Sequence, residues 1–151
     1  MNNQQVTHES TPPHILVVDD GVDTLLLLKL GLRRAGYEVS EARTGKDALQ
    51  LVQENGPPQL VILDILLPDM NGFAVAKEII FLSNVPIIFL SALCDTKTKL
   101  EALSLYGKDY VTKPFSLEEL LCRIHHVLMR ALTDLPPTAP TLLSTACQRC
   151  L

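Results

Sequence analysis

Five polar residues stand at the same kind of place in this chain. Asp19 and Asp20 follow the apolar run His14–Val18 (HILVV), and Asp64 follows Leu60–Leu63 (LVIL). Ser91 follows Pro86–Leu90 (PIIFL), and Lys113 follows Asp109–Thr112. A charge that closes an apolar run costs free energy unless it is paired. If the runs are strands of one parallel sheet, their carboxyl ends share an edge. Three carboxylates, a hydroxyl and an ammonium then converge. Carboxylates about 4 Å apart repel by roughly 4 kcal/mol per pair at an effective dielectric near ~20. A divalent, oxygen-seeking ion offsets this, and Mg2+ is the usual choice where few carboxylates meet a phosphate. Lys113 supplies a second positive charge.

These parts suit phosphoryl transfer. A carboxylate can act as nucleophile and form an acyl phosphate. The transition state spreads charge over the equatorial oxygens, so catalysis is mostly positioning and electrostatics. Mg2+ and Lys113 would cover two of those oxygens, and the Ser91 hydroxyl would donate to the third.

The elements that must position these residues alternate along the chain. Continuous β-branched runs read as strands buried on both faces, the habit of parallel sheets. Tyr37–Glu41 (YEVSE) alternates instead, as an edge strand does. Between the runs lie helical patterns over Val22–Ala35, Thr44–Asn55, Gly72–Leu82, Asp95–Leu105 and Ser116–Ala131. Gly36 closes the first of these. Thr44 with Asp47, and Ser116 with Glu119, stand at capping-box spacing. In the last helix Leu117, Leu120, Leu121, Ile124, Val127 and Leu128 form one apolar stripe. The order βαβαβαβαβα predicts an α/β fold, a doubly wound parallel sheet of five strands with five helices. Ligands of such folds bind outside the carboxyl ends of the strands.

The totals set bounds. The chain has 151 residues, enough for one domain and tails. It is 47% hydrophobic and 20% charged, ordinary for a globular protein. A net charge of −4 with no basic block argues against nucleic acid binding by this chain itself. The polar start MNNQQVTHES has no signal-peptide core, and no apolar stretch approaches a membrane span. A cytoplasmic protein without membrane contact is expected, with Cys94, Cys122, Cys147 and Cys150 as free thiols. Cys147 and Cys150 form a lone CxxC without a second ligand pair, so no zinc site is expected. Prolines at 12, 13, 136, 137 and 140 predict a flexible segment over 1–12, a domain over 13–131, and a Pro-rich tail or truncated linker over 132–151.

Val17-Val18-Asp19-Asp20, the spacing Asp64-x-x-x-Pro68-x-x-x-Gly72, Ser91-Ala92 and Tyr110-Val111-Thr112-Lys113-Pro114-Phe115 together resemble the receiver domains of two-component response regulators. The resemblance covers about residues 14–131. It implies a flavodoxin-like sheet in the order 2-1-3-4-5. It implies that Asp64 is the phosphoacceptor, served by a histidine kinase or histidine phosphotransfer protein. Asp19 and Asp20 would hold Mg2+ with Asp64, helped by the backbone carbonyl of Leu66. Ser91 and Lys113 would bind the phosphoryl group. Tyr110 would be an aromatic switch that turns inward when Ser91 moves, and Lys113–Pro114 a cis peptide. The fourth helix, fifth strand and fifth helix would form the output face and a phosphorylation-dependent homodimer. Asp109 and Arg123 match one ion pair of that face, whereas Lys108 and His125 depart from it. Gly21 stands where an acidic residue often follows the Asp pair, and Tyr106 where a glycine often closes the fourth helix. Leu66 and Leu93 flank the site with apolar groups, which predicts slow loss of the phosphoryl group.

Blander readings exist for each part. An Asp pair is often a cap, a lone serine is seldom functional, and a lone lysine is usually solvated. His14, His125 and His126 form no metal pattern, and Cys94 reads as filler. Among other functions, a phosphatase using Asp64 would want a general acid two residues on, where Leu66 stands. A flavin or nucleotide carrier would want a Gly-rich loop after the first strand, which is missing. A receiver that has lost phosphorylation would not keep Asp19, Asp20, Asp64, Ser91 and Lys113 together. The sequence therefore points to a signalling switch that accepts a phosphoryl group rather than to an enzyme with its own substrate.

Overall fold

The computed structural model describes residues 11–133. The segment 1–12 and the tail 132–151 lie outside them, except for residues 11, 12, 132 and 133. So does the Cys147–Cys150 pair. Strands and helices alternate: β1 (His14–Val18), α1 (Val22–Arg34), β2 (Glu38–Ala42), α2 (Gly45–Asn55), β3 (Leu60–Leu63), α3 (Gly72–Leu82), β4 (Ile87–Ser91), α4 (Thr96–Leu105), β5 (Asp109–Thr112) and α5 (Leu117–Thr133). The five strands form one parallel sheet in the order β2-β1-β3-β4-β5. Such strands need a crossover, and a helix provides each one.

The strands alternate between two cores. Leu16, Val18, Val61, Leu63, Ile87 and Phe89 face α2 and α3, meeting Ala48, Val52, Val75 and Ile79. Ile15, Val17, Leu60, Ile62, Ile88 and Leu90 face α1 and α5, meeting Leu25, Leu28, Leu32, Leu120 and Ile124. Because both faces are covered, β1, β3 and β4 read as unbroken apolar runs. At the edge, β2 is half-exposed and begins one residue later than the alternation predicts. α5 runs past Ala131 to Thr133.

Caps follow sequence in part. Thr44 Oγ1 accepts from the Asp47 N–H at 3.0 Å, starting α2. Asn71 and Asp95 cap α3 and α4 through the N–H groups of Phe73 and Thr98. The box expected at Ser116 and Glu119 is one-sided. Ser116 Oγ accepts from Glu119 N–H at 3.4 Å, but the Glu119 carboxylate instead takes hydrogen bonds from Arg123.

Candidate functional site

Strand polarity decides which residues meet. The ladder extends one residue beyond the strands, since Asp64 N–H donates to the Val18 carbonyl at 3.0 Å and Lys113 N–H to the Ser91 carbonyl at 2.9 Å. Asp19, Asp64, Ser91 and Lys113 thus lie at the carboxyl edge. One oxygen from each of Asp19, Asp20 and Asp64 lies within 4.8 Å of the others. Asp19 and Asp64 are buried, at 2% and 5% exposure, while Asp20 is exposed.

Each oxygen of the two buried carboxylates has a partner. Asp19 Oδ1 accepts from Gly21 N–H at 2.8 Å, and Asp64 Oδ1 from Leu66 N–H at 3.1 Å. The Lys113 ammonium bridges the remaining oxygens, at 2.6 Å from Asp19 Oδ2 and 3.1 Å from Asp64 Oδ2. Burial pulls its proton affinity down. The hydrogen bonds and charges of Asp19 and Asp64 outweigh this and hold it above the usual lysine range. The Lys113–Pro114 peptide bond is cis.

Ser91 is fully buried at the end of β4, and its Oγ accepts from Leu93 N–H at 3.4 Å. Tyr110 is 8% exposed, so its ring lies inward. Its hydroxyl donates to the Leu93 carbonyl, and its ring sits 6.3 Å from that of Phe89, centroid to centroid. Burial raises the Tyr110 hydroxyl above the usual range, with Asp95 and Asp64 adding to it against a hydrogen bond to Ser91.

Gly72 explains the turn after Asp64. A Cβ there would lie 2.3 Å from the Asp64 carbonyl oxygen and 2.6 Å from Ile65 Cα. Only glycine lets α3 begin so close to the back of β3.

The response regulator receiver domain model matches residues 15–125. The chain belongs to that family. It is 51% identical over 116 residues to the uncharacterized transcriptional regulatory protein YrkP of Bacillus subtilis, covering 77% of this chain and 49% of YrkP. It is 41% identical over 116 residues to the transcriptional regulatory protein KdpE of Mycobacterium tuberculosis, covering 77% of this chain and 51% of KdpE. The chain spans about half the length of these curated relatives. Among solved structures, a CheY-like receiver domain protein from Methanospirillum hungatei superposes with a TM-score of 0.77 at 28% identity, over 82% of this chain and 98% of that one.

As a receiver domain, the chain is a two-component signalling module. Its acidic pocket fits the divalent metal of the family, because three converging carboxylates are the hard oxygen donors such an ion takes. No helix among the described residues is long and apolar enough to cross a membrane.

Sequence reasoning missed one carboxylate beside the receiver site. Asp69, in the segment between β3 and α3, caps the start of α2 rather than its own helix. Its partners lie 24 and 23 positions earlier, so no local spacing announces it.

Proposed function

We propose that this receiver domain is a phosphorylation-dependent switch in which Asp64 accepts a phosphoryl group from a histidine kinase or histidine phosphotransfer protein. An Asp64 carboxylate oxygen attacks phosphorus, the phosphorus–nitrogen bond to the donor imidazole breaks, and the imidazole keeps the electron pair and takes a proton. Asp19, Asp20, Asp64 and the Leu66 carbonyl would hold Mg2+, which neutralises phosphoryl oxygens when bound. Lys113 lies within reach of the same oxygens and stabilises their charge. The Ser91 hydroxyl donates to a third oxygen. As Ser91 moves toward the phosphoryl group, its neighbour Tyr110 is held inward, and the β4–α4 loop follows through the Leu93 carbonyl. The added charge thus biases a two-state element on the α4–β5–α5 face.

One observation carries this reading: the Lys113 ammonium spans Asp19 and Asp64 within hydrogen-bond distance, next to Asp20. The names of the relatives support a transcriptional output, which would place the switch in the cytoplasm. The test is incubation with acetyl phosphate and Mg2+ followed by intact mass. Wild type should gain one phosphate and Asp64→Asn none. Equal uptake by both, or none by wild type, rejects Asp64 as acceptor.

A further inference from the structure

The start of α2 is capped from outside its own flank. Asp69 Oδ1 accepts from Gly45 N–H at 2.9 Å, and Asp69 Oδ2 accepts from Lys46 N–H at 2.9 Å. The first N–H groups of a helix have no intrahelical acceptor. Thr44 satisfies only Asp47. The two donors lower the proton affinity of Asp69, so it stays a carboxylate at any ordinary pH.

The segment that carries Asp69 also carries Leu66. It is closed on itself by a bridge between Leu66 and Asn71, and by Gly72 N–H on the Ile65 carbonyl at 2.8 Å. Leu66, Pro68, Asp69 and Asn71 are exposed, whereas Leu67 and Met70 are partly buried against the core. The segment meets the start of α2. There Asp69 makes its two bonds, and Met70 lies so close to Gly45 that a Cβ would come within 2.4 Å of Met70 Cγ.

We propose that Asp69 is a positioning residue for metal binding: by pinning the β3–α3 segment to α2, it holds the Leu66 carbonyl oxygen at the acidic trio. This rests on the metal set of the proposed function. Losing a group that orients a metal ligand without touching the metal typically weakens affinity by roughly 10- to 100-fold. Asp69 acts on the one ligand that is backbone, whose direction only the loop's conformation can set.

The test is Mg2+ titration of the full chain by calorimetry at a temperature where every variant is folded, with thermal melts in EDTA alongside. Asp69→Ala, which loses both acceptors, should weaken Mg2+ binding by roughly tenfold. Asp69→Asn keeps one acceptor and should fall between. Thr44→Ala removes a cap bond of the same helix without touching the loop; it should lower the melting temperature and leave Mg2+ affinity unchanged. Should Asp69→Ala not fold, Asp69→Asn decides by the same criterion. Wild-type affinity in the folded Asp69 variants, or equal loss in Thr44→Ala, overturns the inference alone. If wild type binds no Mg2+, the metal set of the proposed function fails, and this inference fails with it.

Discussion

At Lys113 two effects oppose each other: partial burial strips water from the ammonium, and two carboxylates at 2.6 and 3.1 Å hold the proton on. The second wins, so the folded pKa lies above the unfolded one. The linked stability is complete below the unfolded value of about 10.4 and is lost as pH rises through the folded value. Urea melts should therefore show stability falling above about pH 10, with the half-buried Tyr37 and the buried Tyr110 pushing the same way. Lys113→Met removes the lysine part of that slope. It also leaves Asp19 and Asp64 buried without a counter-charge, which should cost about 3 kcal/mol in metal-free buffer. Mg2+ should restore much of the loss, because an ion that binds only the folded state adds its binding free energy. Leu66 and Leu93 raise a different question, the lifetime of the acyl phosphate. Both are aliphatic and stand two residues past Asp64 and Ser91, where they offer an attacking water no hydrogen bond. Leu66→Asn and Leu93→Glu should each speed phosphoryl loss by roughly tenfold, short of the ~10² of a well-placed base. Loss of labelled phosphate over time measures this, and an unchanged half-life in both variants would exclude the shielding role. These site residues were readable in the sequence because each closes an apolar run, and parallel strands carry such ends to one edge. Asp69 was not, because a hydrogen bond across 24 positions leaves no periodic trace.

Among the helices, α4 rests least on burial. Ala102 is its only buried residue, and Leu100, Leu103 and Leu105 are exposed. Its start depends on Asp95, whose carboxylate accepts from both the hydroxyl and the N–H of Thr98 at 2.7 and 2.9 Å. Those bonds hold the Asp95 carboxyl below its usual range. An acid with a lowered folded pKa adds stability above its unfolded value, near ~3.9, and loses it as pH falls through the folded one. Asp95→Ala should therefore fray α4 at neutral pH. Amide exchange should quicken several-fold in the first turns of α4 and stay unchanged in β1 and β3. Unchanged protection in α4 would show that its packing, not its cap, holds it. Helix and strand positions were legible wherever one face is buried, as with the 3.6-residue stripe of α5 and the runs of β1, β3 and β4. Legibility faded at ends set by capping geometry. The Ser116–Glu119 box is half made because Arg123 competes for the Glu119 carboxylate, a contact one turn further on that the spacing alone does not weigh. β2 starts late because its alternation continues into Tyr37, which packs beside the strand against the α1–α5 core.

Across the whole molecule, alternation of strands and helices specifies a parallel sheet but not which strands are neighbours. The order 2-1-3-4-5 came from the resemblance, since apolar runs of similar length carry no label for their partners. That order puts β5 at an edge with α4 and α5 beside it. The α4 leucines at 100, 103 and 105 are 62%, 45% and 59% exposed, next to a polar set. There Arg123 makes two bonds to Asp109, at 2.9 and 2.8 Å, and two to Glu119, at 3.3 and 3.0 Å. In a two-fold pair, residue i of one copy meets j of the other and the reverse holds too. Arg123 can then exchange its own Asp109 for that of a second copy with no change in the number of ion pairs. Such an exchange would be close to neutral, so burial of the leucines would decide whether two copies associate. Phosphorylation should shift α4 enough to align them. With beryllofluoride and Mg2+, sedimentation should show dimers where the unmodified chain is monomeric. Leu103→Lys should abolish the shift, and Arg123→Ala should weaken it roughly tenfold, about 1.4 kcal/mol. A chain that stays monomeric with the mimic bound would leave the α4–β5–α5 face to a different partner.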